Sequence, residues 1–415
     1  MRAKLTFLSA LVVGTFGGVL ATGCQTYDFE PVDPLAISQT TETRRIEARA
    51  SKPNLMLLVD KSGSMTEPVN PSDPDCLVGG RVCGDTSRPC NTAVCPTRWS
   101  ELQGAMQDFL GSSGTLARFG LATYPADASC GSTSSISVAL PAEGAEDEAS
   151  LGAKAEEVKT ELFKIKNSSS TGEPTPRGGT PTSASLKFMG GLNEMQTKER
   201  ADFVLLLTDG LPNCNSAFPT PYPDPGCFCT LLDCSAGKQI GCLDNNESVA
   251  AVRELRGKEI QTIVIGFGAD FDSSSDSGKR GAATLNAMAE AGGFERKCSK
   301  DSDCGSGDTC DMSKSLCNRQ FFQAANRADL VSALRDISGK ILVDDPCLLT
   351  FDASERPTSQ ELVVVYVNGE RLSSGADTWS LTEQGILFSG STCERIKTST
   401  ATSPVDIEVR AVQRR

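Results

Sequence analysis

Four short aliphatic runs recur along the chain, separated by stretches with helical spacing. Leu55-Met-Leu-Leu-Val59, Phe119-Gly-Leu-Ala-Thr-Tyr124, Phe203-Val-Leu-Leu-Leu207 and Thr262-Ile-Val-Ile265 are almost continuously apolar, the pattern of strands covered on both faces. Trp99, Leu102, Met106 and Phe109, then Val249, Val252 and Leu255, then Leu330, Leu334, Ile337 and Ile341 recur at helical intervals and predict amphipathic helices. The last of these is expected to take Asn326 as its N-cap. Buried strands alternating with helices predict an α/β domain over residues 53–346, with an open, mostly parallel central sheet flanked by helices.

Beyond Cys347 the texture changes. Glu361-Leu-Val-Val-Val-Tyr-Val367, Trp379-Ser-Leu381, Ile386-Leu-Phe388 and Val405-Asp-Ile-Glu-Val409 read as strands, and Asn368-Gly369 after the first is a hairpin signal. Residues 347–415 are therefore expected to form a small antiparallel β domain that Cys347 and Cys393 can close covalently. At the other end, Arg2 and Lys4 precede the apolar run Leu5 to Leu20 and the small residues Ala21-Thr22-Gly23 before Cys24. A basic start, a short apolar core and small residues mark an export signal over 1–24, too short for a secure membrane span. Its junction at Cys24 resembles the lipobox of bacterial lipoproteins, which implies a lipid on Cys24; the plainer alternative is an ordinary cleaved signal. Gln25 at the next position leans, by the same resemblance, towards the outer membrane or cell surface. Residues 25–52 are polar, contain Pro31 and Pro34, and are expected to be a flexible tether.

Composition narrows the chemistry. The 415 residues include no histidine, which excludes histidine-dependent triads, histidine general bases and histidine-ligated zinc. A net charge of −13 is the wrong sign for a phosphate backbone, so nucleic acid is not an expected partner. Setting Cys24 aside from the 17 cysteines leaves an even number, as suits disulfides in an oxidising compartment. They cluster as Cys76, Cys83, Cys90 and Cys95, as Cys214, Cys227, Cys229, Cys234 and Cys242, and as Cys298, Cys304, Cys310 and Cys317, with Cys130 between the clusters. The clusters define cysteine-rich insertions at about 70–97, 211–243 and 295–319, expected to staple loops around a functional face. A four-cysteine zinc site is the competing account of the last insertion, although it lacks Cys-x2-Cys pairs. Connectivity is open at this level.

The chemistry concentrates at strand ends. Leu57-Leu-Val-Asp60-Lys-Ser62-Gly-Ser64 delivers a carboxylate and two hydroxyls directly after a strand, the edge at which open α/β sheets bind ligands. Gly178-Gly-Thr180-Pro-Thr182 opens a helix, and Phe203 to Leu207 runs into Thr208-Asp209-Gly210. This set resembles the von Willebrand factor A family, whose metal-ion-dependent adhesion site uses Asp-x-Ser-x-Ser, a distant threonine and a later aspartate. The resemblance covers roughly Asn54 to Val343 and implies Asp60, Ser62, Ser64, Thr180 and Asp209 as ligands, directly or through water. Hydroxyl and carboxylate oxygens suit a hard cation, Mg²⁺ first, with Ca²⁺ or Mn²⁺ as alternatives. Each piece also has a duller reading: Thr180-Pro181 as a helix start, Thr208-Asp209-Gly210 as a turn.

The function expected from these residues is cation-dependent binding, in which an Asp or Glu of a protein partner completes the coordination sphere. Its rival is a structural scaffold lipoprotein of a motility or secretion complex, with the ion only stiffening loops. Catalysis fits poorly. A haloacid-dehalogenase-like site would need a second aspartate where Ser62 stands, and Ser235-Ala-Gly-Lys238 places a serine–lysine spacing inside a cysteine loop. A cytosolic chelatase-type relative conflicts with export and disulfides.

Overall fold

The computed structural model describes residues 41–48 and 52–412 apart from residues 146, 169–173, 197–199, 216–226, 231–233, 235–238, 269–270, 272–274, 306, 342–346, 351–356, 358, 383–384, 398 and 400–404. The signal segment, Cys24 and the Ser235–Lys238 pair lie outside the described residues. The four aliphatic runs become β1 (Asn54–Asp60), β2 (Arg118–Tyr124), β3 (Asp202–Thr208) and β4 (Ile260–Phe267), joined by a short edge strand, β5 (Phe322–Ala324). Their order is β5-β4-β3-β1-β2 and every pair is parallel. An antiparallel bridge from Val138 to Leu121 lies beside β2.

Six helices cover the sheet: α1 (Arg98–Ser113), α2 (Glu148–Lys164), α3 (Thr182–Met189), α4 (Asn245–Gly257), α5 (Asp276–Gly292) and α6 (Arg327–Ile341). All of β1 is buried, and the pleat divides it between two cores. Leu55, Leu57 and Val59 pack with Trp99, Phe109, Val158 and Leu334, whereas Met56 and Leu58 pack with Leu186, Val252, Leu285 and Met288. Continuous apolarity in the strand is thus two alternating faces, each covered by helices. Asn326 caps α6 by accepting from the Asp329 amide at 3.0 Å. Two helices lie outside the sequence expectation. The buried side of α5 has only Leu285 and Met288 as large apolar residues among Gly278, Gly281, Thr284, Ala289 and Gly292, too few for an aliphatic stripe, and α2 buries four residues among many charges.

Eight disulfides join the sixteen remaining cysteines. Cys76–Cys95 and Cys83–Cys90 hold the first insertion, Cys227–Cys242 and Cys229–Cys234 the second, and Cys298–Cys310 and Cys304–Cys317 the third. Cys130–Cys214 joins two separate loops, and Cys347–Cys393 closes the C-terminal unit. The zinc alternative falls away, since none of the third insertion's cysteines remains a thiolate. That insertion also departs from the expected placement. The first two insertions follow β1 and β3 at their carboxyl ends, but the third follows α5, which runs back to the opposite end, where Gly293 bridges Thr262. There Arg296 fastens it, donating to the Arg319 and Phe321 carbonyls at 2.7 and 3.0 Å and pairing with Asp308 at 3.2 Å. Its aspartates are spent on loop structure: Asp301 accepts from the Cys310 amide, Asp303 from Ser299 and Lys300, and Asp311 from Ser313.

In the C-terminal unit a four-stranded and a three-stranded sheet share one core, including Val365, Trp379, Ile386, Ile396 and Ile407. Asn368 and Gly369 have φ of 52° and 78°, the doubly positive turn the Asn-Gly pair favours in a hairpin. The expected tether is corrected in part. Thr41–Ala48 forms an antiparallel strand along Val405–Val412, from Thr41 opposite Val412 to Ala48 opposite Val405. Its charged, edge-type sequence carries no hydrophobic alternation by which to recognise it. Among the described residues, no helix is long and apolar enough to cross a membrane.

A buried polar cluster ties the amino ends of the strands together. Asn54 donates to Asp202 at 2.7 Å and accepts from Arg118 Nε at 2.9 Å. Burial raises the Asp202 carboxyl from 3.8 to about 6 despite the Asn54 bond and the nearby Arg200 and Arg118. A folded-state value above the unfolded one makes this group's contribution fall as pH rises from about 4 through about 6. Between pH 4.5 and 7.5 the wild type should therefore lose about 1 kcal/mol more stability than Asp202→Asn, after allowing for solvent screening. Urea midpoints at the two pH values test this; equal losses in both proteins contradict it.

Candidate metal centre

Chain order in the sheet reverses between β1 and β3, because β2 lies on one side of β1 while β3 to β5 lie on the other. The loops leaving the carboxyl ends of β1 and β3 therefore part and open a crevice. Asp60 ends β1, and Asp209 directly follows β3.

Asp60 is fully buried. Its Oδ1 accepts from the Ser62 amide at 2.8 Å and its Oδ2 from Thr208 Oγ1 at 2.7 Å. Burial first, and the charge of Asp209 second, lift its carboxyl to about 7. The two carboxylates repel, and a cation between them would relieve that repulsion. The next turn brings Ser62 Oγ to 3.1 Å from Ser64 Oγ, and Ser64 Oγ donates to Asp209 Oδ1 at 3.0 Å.

The threonine arrives from a third segment. The Gly63 amide donates to the Gly178 carbonyl at 3.0 Å and the Arg177 amide to the Lys61 carbonyl at 2.8 Å, lacing the Asp60 loop to the Gly178-Gly179-Thr180 loop. Gly178 has φ +91°, and a Cβ there would stand 2.6 Å from the Ser129 carbonyl oxygen; at Gly179 it would stand 2.4 Å from Cys214 Sγ. Both glycines are demanded by this approach. Thr180 donates its amide to Asn213 Oδ1 at 2.8 Å, and its carbonyl accepts from the Asn213 amide at 2.9 Å. Pro181, not Thr180, takes the cap position of α3. A Cβ on Gly210 would lie 3.6 Å from Ser64 Oγ and 3.7 Å from Thr180 Oγ1, so glycine leaves the space both hydroxyls border.

The structure thus brings Asp60, Ser62, Ser64, Thr180 and Asp209 to one crevice. The donor set consists of three hydroxyls and two carboxylates, hard oxygens without sulfur or nitrogen, and fits a cation of the Mg²⁺ class.

Sequence reasoning missed three members of the site. Thr208 fixes Asp60, and Asn213 fixes Thr180. Arg98, 6% exposed, places Nη1 2.8 Å from Asp209 Oδ2 and 3.4 Å from the exposed Glu67. The signal for Arg98 is its place at the first position of α1, after the Thr97–Ser100 capping box. A cation there opposes the helix dipole and calls for a tertiary anion. Lys61 also lies at the rim, donating Nζ to the Pro125 carbonyl, with its pKa lowered by burial and by Arg177. Beside the crevice, the first insertion carries Leu77, Val78, Val82 and Val94, four of the five most exposed large hydrophobic residues among those described. Thr66 Oγ1 ties it to the site loop through the carbonyls of Gly63 and Gly84.

No protein-family model and no curated protein matches the sequence. Among solved structures, the chain is similar to the pilus adhesin SpaC from Lactobacillus rhamnosus GG in its open conformation, with 12% identity, TM-score 0.42, and coverage of 88% of this chain and 39% of that one. It is also similar to a von Willebrand factor type A protein from Catenulispora acidiphila (12% identity, TM-score 0.35, 88% and 58% coverage). A third is the manganese-loaded TRAP protein of Plasmodium vivax (18% identity, TM-score 0.30, 55% and 63% coverage). The chain spans less than two thirds of each of these proteins; its own α/β architecture is established by strand order and register.

Proposed function

We propose that this chain is a divalent-cation-dependent protein-binding protein, of the adhesion type, working at the cell envelope or surface. The observation that carries this reading is the meeting of Asp60, Ser62, Ser64, Thr180 and Asp209 at the β1/β3 crevice, three chain segments contributing only oxygen. Mg²⁺ is the proposed ion, with Mn²⁺ or Ca²⁺ as substitutes. When bound, it supplies an electrophilic coordination position for an Asp or Glu carboxylate of the partner.

The chain's own residues do the rest. Ser62, Ser64 and Thr180 offer neutral oxygens, which leave positive charge unspent. Thr208 and the Ser62 amide hold Asp60 in place, and Asn213 holds Thr180. The aliphatic residues of the first insertion offer further contact to a partner of protein size, since a single coordinated carboxylate is a small share of a stable interface. Binding suits the site better than turnover: the chain has no histidine, Lys61 at the rim donates its Nζ to the Pro125 carbonyl, and both carboxylates are committed to hydrogen bonds. Eight disulfides suit an oxidising compartment, and we propose a lipid on Cys24 as the anchor, at the outer membrane or cell surface.

The expected result for Asp60→Ala is loss of chelator-sensitive capture of envelope protein by the purified oxidised chain, with the circular dichroism spectrum unchanged. Capture undiminished in that variant sinks the proposal. Chelation that lowers the melting temperature without releasing the partner would favour the scaffold reading instead.

A further inference from the structure

The ion-pair partner of Asp209 is buried where an exposed lysine or arginine would be the ordinary find. Arg98 is held on several sides. Its amide donates to the Glu67 carbonyl at 3.0 Å, the Thr97 capping box sets the helix start, and Gly268 faces its guanidinium. Gly268 has φ +128°, and a Cβ there would lie 3.4 Å from Arg98 Nε. Removing a guanidinium from water at a helix N-terminus is unfavourable twice over, so its position is set by the carboxylates it meets. Those are Asp209 at 2.8 Å and, at the solvent edge, Glu67 at 3.4 Å.

We infer that Arg98 is a built-in countercharge that tunes the crevice, weakening its hold on the cation so that the loaded site stays net positive and selects an anionic partner. This deepens the function proposed above and rests on it. Without Arg98, two ionised carboxylates and a divalent ion sum to zero; with it, the buried groups of the crevice carry one positive charge, which only the solvent-screened Glu67 at the edge opposes. Arg98 touches the carboxylate that the cation also needs, so it competes for Asp209 in the ion-free protein and repels the cation in the loaded one. Glu67 provides the guanidinium with a second anion when Asp209 turns to the ion. At separations of about 6 Å and an effective dielectric of about 20, such repulsion is large enough to change cation affinity by tenfold or more.

The test is Mn²⁺ titration by calorimetry on the chelator-treated, oxidised full chain, comparing wild type, Arg98→Met, Arg98→Lys and Asp60→Ala. Arg98→Met should bind Mn²⁺ at least tenfold more tightly than wild type, and Arg98→Lys, which keeps the charge, should stay within about threefold. A merely structural arginine gives the opposite sign, because a loosened site loses affinity. If Arg98→Met does not fold, as judged by near-ultraviolet circular dichroism, Arg98→Gln carries the same expectation. A folded Met or Gln variant with unchanged or weaker affinity, beside a wild type that binds, overturns the countercharge and leaves the ion site standing. Wild type and Asp60→Ala binding Mn²⁺ alike, or neither binding, overturns the ion site itself.

Discussion

Asp209→Ala is expected to destabilise the ion-free protein by about 3 kcal/mol, whereas Asp60→Asn leaves it nearly unchanged, although both carboxylates are buried at the same crevice. The difference lies in their partners. Asp209 is the buried anion for the buried Arg98, 2.8 Å away, and its removal leaves that desolvated cation only the exposed Glu67 at 3.4 Å, a costly change in a folded protein. Asp60 accepts only from an amide and a hydroxyl, while burial and the charge of Asp209 work against its ionisation. An asparagine there can keep the bond from the Ser62 amide and removes the repulsion. The double variant Asp209→Ala, Arg98→Met should recover most of the loss, because the buried guanidinium is removed along with its buried anion. Urea unfolding in the presence of chelator measures all three proteins. Equal losses for the two aspartates, or no recovery in the double variant, would contradict the assignment of Arg98 as the partner of Asp209.

Breaking the Cys130–Cys214 bridge is expected to cost still more. The bridge spans 84 residues, more than any other in the chain, and on the loop-entropy account its loss costs about 4 kcal/mol. The functional consequence is local. Both sulfurs face Gly179, at 2.4 and 3.2 Å from where a Cβ would stand, directly before Thr180. Cys214 is also the residue after Asn213, which holds Thr180 through its amide and carbonyl. Cys130→Ser with Cys214→Ser should therefore lower thermal stability and weaken Mn²⁺ affinity together. The paired change Cys298→Ser with Cys310→Ser, in the insertion at the far end of the sheet, should leave Mn²⁺ affinity unchanged. Calorimetric titration of the two variants separates the cases; equal affinity in both contradicts the role given to the first bridge.

What could be read from the sequence and what could not divide along physical lines. β1 to β4 announce themselves because strands covered on both faces are apolar throughout, and α1, α4 and α6 because large side chains recur on one face. α5 leaves a fainter trace, since Leu285 and Met288 are its only large buried side chains and Gly278, Gly281, Thr284, Ala289 and Gly292 fill the rest of its buried side. β5 has only three residues, and Thr41–Ala48 is stabilised by a strand more than 350 positions away, from Val405 to Val412. At the crevice, Asp60, Ser62 and Ser64 are local in sequence and legible together. Arg98 and Asn213 act through partners 111 and 33 residues distant, so neither shows its role until the chain is folded. Cysteine parity pointed to disulfides, but only the folded chain shows that the third insertion sits away from the crevice.

A divalent cation between β1 and β3 is the centre of the proposed function. Its most direct test is anomalous diffraction from crystals of the full oxidised chain soaked in Mn²⁺. The predicted result is a peak roughly 2.2 Å from Ser62 Oγ and Ser64 Oγ, with Asp60, Thr180 and Asp209 around it directly or through water. A saturating soak that leaves this crevice without a peak, or places the ion only elsewhere, contradicts it.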